Sequence, residues 1–443
     1  MSVYFNILDY GAAADGKTLC TDAFYKAIDA AGSAGGGTIY VPAGRFLTGP
    51  LKLASNLRLY LESGSEVLFS QEESDYPTVY SRWEGVEQEV YMPCIYAKDA
   101  ENIIIEGMGT LNGQGEPWWE KGLSEDIKYP RPKLIGFQNC ERIILRNIKL
   151  INSPTWTFNP ICCKNILADG ITIINPPDSV NTDGINPESC DGVRIQGCYI
   201  SAGDDCVTLK SGTEKTKNRV PCQNITITNC VMKNGHGGVV IGSESSGDVR
   251  NVTISNCVFH KTDRGIRIKT RRGRGGTVED IRVNNIIMDE VSCPFVINMY
   301  YYCGESGKDE WAQNRDVQPL DVSTPTVRRV YFSNITAKNV RSCAGFFYGL
   351  GERKIEDMSF DNILIMLGDG FKPEKPALLD YIEPMTKCGF YLGNTCDISF
   401  SGCTISGANG PAFYAERSKD ILFVNCKAKN CLEPITESPD GSI

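Results

Sequence analysis

Two short acidic segments are the first chemistry in this chain. Asn181-Thr182-Asp183-Gly184 is followed by Gly203-Asp204-Asp205-Cys206, placing three carboxylates within 23 residues. Carboxylates crowded together can serve as general acid and base, because a proton on one lets another stay ionised. A calcium site or plain turn residues would use the same types, and Asn-Thr-Asp alone is a weak signal. What raises the acid and base reading is the regular spacing of everything around these segments.

Other reactive groups follow at similar intervals. His236, between Gly235 and Gly237, is one of 2 histidines. Arg267 and Lys269 are two residues apart, so on a strand they point to the same side. Such a pair could clamp a carboxylate, the guanidinium offering a planar fork. Residues 264–274 hold six basic residues and no acid; a solvated basic loop or a nucleic-acid patch is the competing reading. Tyr300-Tyr301-Tyr302 comes next.

Positioning falls to a repeat that recurs eleven times from residue 101 onward. It starts at Asn102, Arg142, Asn165, Gly192, Asn224, Asn251, Asp280, Arg329, Asp357, Asp397 and Asp420. Counting that residue as zero, positions one, three, six and eight are apolar with few exceptions. Position five holds only Gly or Asn: Gly107, Asn147, Gly170, Gly197, Asn229, Asn256, Asn285, Asn334, Asn362, Gly402 and Asn425. These residues best tolerate the left-handed backbone region. Each repeat therefore reads as a strand, a one-residue left-handed corner and a second strand. No such unit buries both strands alone, and stacking buries a continuous column.

The fold class expected is all-β, a parallel β-helix with long loop insertions. Leucine-rich repeats would need a Leu-rich consensus that is absent. A third strand in each coil is read at Pro160 to Cys163, Asp183-Gly184-Ile185-Asn186, Asp204 to Lys210, Gly237 to Ser243, Gly265 to Lys269 and Phe295 to Tyr300. Aligning these segments is expected to bring Asp183, Asp204 and Asp205, then His236, then Arg267 and Lys269, then the tyrosines onto one face.

Before the repeats, Thr21-Asp22 is expected to cap a short helix running through Ala31, with Thr38 to Pro42 as the first strand. A helix there can cover the open end of a stacked sheet. Insertions are read at 71–100, 113–131, 299–327 and 366–395, where binding loops tend to lie. The expected organisation is one domain over 1–443: cap and first strands in 1–55, coils with insertions in 56–431, a tail in 432–443.

At 443 residues and 41% hydrophobic content the chain can bury a large core. Its net charge of −9 argues against a general nucleic-acid binder. No apolar run is long enough for a membrane span. The first residues show no signal-peptide pattern, so a cytoplasmic location is expected, with the 19 cysteines as buried thiols.

Four motifs in order, Asn181-Thr182-Asp183, Gly203-Asp204-Asp205, Gly235-His236-Gly237 and Arg267-Ile268-Lys269, make the chain resemble the polygalacturonases. The resemblance extends to Asp9-Tyr10-Gly11 and Pro42-Ala43-Gly44, and so to nearly the whole chain. It implies a right-handed parallel β-helix that hydrolyses α-1,4-galacturonosyl linkages with inversion, needing no metal or cofactor. Asp204 would be the general acid, and Asp183 with Asp205 would activate water. His236 would orient or tune the acid, and Arg267 and Lys269 would hold the galacturonate carboxylate. Asn181 and Tyr301 would also contact the sugar.

Carboxylates on adjacent strands would sit roughly 5 Å apart, a spacing that generally accompanies retention, whereas the resemblance implies inversion. Asn159 stands where many bacterial relatives carry His. The insertion around Arg82-Trp83-Glu84-Gly85 resembles bacterial exo-acting members, so release of monogalacturonate from imported oligomers is expected. The alternatives are a rhamnogalacturonan or other uronic-acid hydrolase, a calcium-dependent pectate lyase, and a non-catalytic carbohydrate-binding β-helix.

Overall fold

Position five is where the backbone corners. All eleven residues there have positive φ, between 52° and 63° in ten of them and 125° at Gly107. Position zero is a second left-handed corner that the sequence reading did not assign. Its φ values run from 53° to 75°, at Arg142 and Arg329 as well as at Asn, Asp and Gly. A left-handed residue with a side chain costs about 1–2 kcal/mol. Contacts between coils offset part of this: the Arg329 guanidinium pairs with Asp280 at 2.8 Å and Glu279 at 2.7 Å.

The computed structural model describes residues 4–124 and 126–437, so the last residues of the expected tail, 438–443, lie outside the described part. Two compact units are formed, Met1–Cys206 with Gln223–Thr226 and Val207–Cys222 with Ile227–Ile443. Each consists of parallel strands stacked coil on coil, the parallel β-helix expected.

In the first unit one ladder runs through Tyr4–Asn6, Gly37–Val41, Leu57–Leu61, Glu101–Gly107, Glu141–Arg146, Lys164–Asp169 and Asp191–Gln196. A shorter one joins Leu51–Lys52, Ile95–Lys98, Ile135–Gln138 and Phe158–Ile161. Register stacks like on like: Ile103, Ile143, Ile166 and Val193 face one another in successive coils and are fully buried. Each such side chain removed from water contributes about 1.5–3 kcal/mol.

The helix spans Thr21–Ser33 and buries Ala23, Phe24, Ala27, Ile28 and Ala31. Its cap differs from expectation. Cys20 is the N-cap residue, and the Thr21 hydroxyl instead accepts the Gly49 N–H at 2.7 Å. Two strands, Tyr4–Asn6 and Asp15–Leu19, precede the one expected to be first. The 71–100 insertion forms an antiparallel hairpin, Thr78–Trp83 with Val86–Tyr91.

The second unit carries the strand of Arg267 and Lys269. Its ladder runs Val207–Leu209, Val239–Gly242, Arg264–Lys269, Cys293–Asn298, Cys343–Tyr348, Cys388–Gly393, Pro411–Glu416 and Glu433–Glu437. Ile266 and Ile268 alternate with Arg267 and Lys269, the isoleucines facing the core. That core is aromatic where Phe295, Phe332, Phe360 and Phe390 meet at centroid distances of 4.7–6.1 Å. The 19 cysteines are free thiols, most of them buried.

Candidate active site

The first unit assembles the acids. Asp183-Gly184-Ile185-Asn186 is not a full strand; it joins Phe158 and Ile161 through single bridges at Ile185 and Glu188. Backbone bonds nevertheless hold the register. Thr157 N–H donates to Asp183 O at 2.8 Å, and Gly184 N–H donates to Asp205 O at 3.0 Å. Gly184 has no room for a side chain, since a Cβ would lie 2.4 Å from the Cys206 carbonyl oxygen. At Gly203 a Cβ would lie 2.3 Å from the Ser179 carbonyl oxygen. The Gly203 N–H also donates to the Thr182 hydroxyl at 3.2 Å, tying one acidic segment to the other.

One oxygen from each of Asp183, Asp204 and Asp205 lies within 4.8 Å of the others. Asp183 and Asp205 are buried, whereas Asp204 is half-buried and reaches solvent. Two like charges at that separation repel by about 3 kcal/mol with surface-like screening. The Asn186 amide donates to Asp183 Oδ2 at 2.9 Å, and the Asp205 N–H donates to Asp204 Oδ1 at 2.8 Å. The same three carboxylates are the set that could chelate a cation.

A layer of buried polar groups missed in the sequence supports the cluster. Arg131 donates to Asn181 Oδ1 at 2.6 Å and to the carbonyls of Pro154 and Val180 at 3.1 and 3.0 Å. Asn181 thus uses its side-chain oxygen to seat a guanidinium. Burial lowers Arg131 to about 10, against the opposing charges of Glu84 and Asp183. Asn159 is fully buried; it accepts from Lys133 at 2.5 Å and donates to the Asn186 carbonyl at 2.7 Å. Its role in this structure is to link Lys133 to the Asp183 segment.

Lys133 also donates to the Arg82 carbonyl at 3.0 Å, and Trp83 stacks on Trp156 at 4.7 Å and 15°. The hairpin is therefore anchored on the acidic segment itself. The sequence flagged Trp83 and Arg82 as part of an insertion. Nothing in the spacing revealed that a lysine fifty residues later would hold them.

The second unit assembles the cations. Arg267 and Lys269 are both nearly buried, and the Tyr301 ring centroid lies 5.6 Å from the Arg267 guanidinium and 5.3 Å from the Lys269 ammonium. Tyr300 is buried beneath Arg272 and Arg315 instead. The run 264–274 is neither a solvated loop nor a basic patch. Arg271 and Arg274 pair with Glu214, Arg272 pairs with Glu352 at 2.5 Å, and Arg264 donates to the Lys375 and Pro376 carbonyls. Glu244 is buried, which raises its carboxyl, but the charges of Lys210, Arg274 and Lys269 bring it below the usual range.

His236 Nδ1 lies 2.9 Å from Asp263 Oδ2. The sequence reading named the histidine and missed this partner, although the alignment contained it. Val240 stands opposite Arg267, and counting four residues back from each reaches His236 and Asp263.

The model of Glycosyl hydrolases family 28 matches residues 32–372 of this chain. A probable polygalacturonase from Vitis vinifera is 34% identical over 374 residues, covering 82% of this chain and 74% of that protein. Among solved structures, the exopolygalacturonase from Thermotoga maritima is similar at 32% identity and a TM-score of 0.75, over 82% of this chain and 88% of that one. A polygalacturonase from Erwinia carotovora ssp. carotovora is similar at 25% identity and a TM-score of 0.67, over 86% and 97%.

Proposed function

The chain belongs to family 28 of the glycosyl hydrolases, and on that premise we propose that it hydrolyses α-1,4-galacturonosyl linkages, releasing monogalacturonate from the non-reducing end of oligogalacturonides. The observation that carries this reading is the group of three aspartates with oxygens within 4.8 Å, of which Asp204 reaches solvent. Asp204 is the general acid: its proton goes to the glycosidic oxygen as the bond to C1 breaks. Asp183 and Asp205 share the attacking water and take its proton. Attack from the face opposite the leaving group inverts the anomeric centre.

Arg267 and Lys269, stacked against Tyr301, hold a galacturonate carboxylate. His236 tunes the acid. The placing of Arg267 and Lys269 on one face of one strand supports a uronate over a neutral sugar, because a guanidinium and an ammonium offer a carboxylate charged donors. Exo action is supported by similarity to the Thermotoga maritima exopolygalacturonase and by the anchored hairpin Thr78–Tyr91.

The test is a product time course on a defined oligogalacturonide about ten sugars long. Monogalacturonate should be the sole early product. Random internal cleavage would remove the exo reading, and an absorbing unsaturated product would replace hydrolysis by elimination. Asp204→Asn should lower turnover by roughly 10²–10⁴-fold while the circular dichroism spectrum is unchanged.

A further inference from the structure

His236 and Asp263 occupy equivalent places on consecutive coils of the second unit. The backbone sets their approach: Asp263 N–H donates to the Gly235 carbonyl at 2.9 Å, and Gly238 N–H donates to the Arg264 carbonyl at 2.9 Å. The imidazole is about half exposed, with Nδ1 toward the carboxylate. Asp263 is itself held from the other side. Its Oδ1 accepts from Arg341 at 3.2 Å, and Oδ2 pairs with Arg264 at 3.4 Å. Arg341 is in turn fixed by Glu374 at 3.0 Å and by the Glu290 carbonyl at 2.9 Å.

We propose that Asp263 is a positioning residue for hydrolysis, fixing the His236 ring with Nδ1–H toward its carboxylate. This rests on His236 acting in the reaction. A carboxylate at hydrogen-bond distance selects the Nδ1–H tautomer and favours the charged ring. Asp263 can play this part because it stays ionised. Burial would raise its carboxyl, but the His236 hydrogen bond and the charges of Arg264, His236 and Arg341 hold it down at about 2.

Charged and titratable groups around the pair include Arg264 and Arg267 on the same strand, Cys293 and Arg341 from later coils, and Glu374 from an insertion. Two cations, Arg264 and Arg341, lie on the same carboxylate and cancel part of its effect on the ring.

The experiment exploits the histidine count. His260→Asn leaves His236 as the only histidine of the chain, and its ring resonances can be followed by NMR against pH. With Asp263 intact, the neutral ring should carry its proton on Nδ1. In Asp263→Asn the His236 pKa should fall, and the alkaline limb of kcat/KM on an oligogalacturonide should move down with it. An Nε2–H tautomer in the Asp263-intact chain overturns the proposal without needing a variant that folds. An unchanged His236 pKa, or an alkaline limb that stays in place while that pKa falls, overturns it too. Turnover of the same oligogalacturonide by the unaltered chain is measured alongside, so failure of the hydrolase reading is seen separately from failure of the Asp263 role.

Discussion

The hairpin anchor gives a prediction whose size can be worked out. Arg82 sits near the end of the strand Thr78–Trp83 with its side chain only 4% exposed. Its guanidinium donates to Glu188 Oε1 at 3.1 Å, to the Ser189 hydroxyl at 3.1 Å and to Glu87 Oε1 at 3.0 Å. The Glu188 side chain is fully buried. Replacing Arg82 by Met removes the counter-charge and leaves that carboxylate in the interior. Breaking one partner of a buried pair typically costs about 3–5 kcal/mol.

The cost falls on the docked hairpin, because undocking exposes Glu188 to water. Contacts that still hold the hairpin include the Trp83–Trp156 stack, worth about 0.5–1.5 kcal/mol beyond its burial, the Lys133 bond to the Arg82 carbonyl, and Tyr91 against Glu73, Trp118 and Tyr129. At 1.4 kcal/mol per factor of ten, the open fraction should rise by about two to three orders of magnitude. Hydrogen exchange of the Thr78–Tyr91 amides reads that opening directly. Product analysis on a decamer reads its consequence, namely dimers and trimers appearing beside monogalacturonate.

A double replacement, Arg82→Met with Glu188→Met, should recover most of the protection, since a buried ion pair exchanged for apolar groups is often neutral. If Arg82→Met loses exchange protection while monogalacturonate remains the sole product, the hairpin is not what limits cleavage to the chain end. If protection is unchanged, the energetic argument itself is wrong.

Arg267→Lys should raise KM for oligogalacturonides about tenfold or more with a smaller change in kcat, because an ammonium cannot reproduce the planar fork; steady-state kinetics check it. Proton NMR of the first product should show the β anomer, since two carboxylates working on one water place the attack opposite the leaving group; an α anomer would restore the retaining reading that the short spacing suggests. Asp263 is held at about 2 against an ordinary 3.8, so its folded-state carboxyl is depressed. The stability it contributes is present above pH 4 and lost as pH falls toward 2. Acid denaturation of Asp263→Asn should be flatter over that window. Arg142, left-handed at φ 57° and paired only with an exposed Glu101, should accept glycine with a gain of up to about 1 kcal/mol, measured by chemical denaturation.

How far the sequence could be read followed from which residues carry a backbone requirement. Position five was legible because only Gly and Asn appear there, and the left-handed φ they tolerate is what the coil needs. Position zero makes the same demand yet includes Arg142 and Arg329, so composition concealed it. The acids were legible for a similar reason. Gly184 and Gly203 leave no room for a side chain beside the neighbouring coil, and such glycines flank Asp183 and Asp204 as a visible motif. The supporting groups had no such signature. Arg131, Lys133 and Asn159 are determined by long-range approach, and an arginine in a loop looks the same whether it ends in water or against Asn181. The basic run 264–274 shows the converse. Six cations within eleven residues left a basic patch as a competing reading, but Glu214 and Glu352, 57 and 80 residues from their partners, pair with Arg271, Arg274 and Arg272. Local pattern therefore reports the demands of the backbone, and charge becomes function only once the fold has decided which ions are already paired. Arg267 and Lys269 lie against an aromatic ring, and it is their common face on one strand, more than their charge, that singles them out from the run.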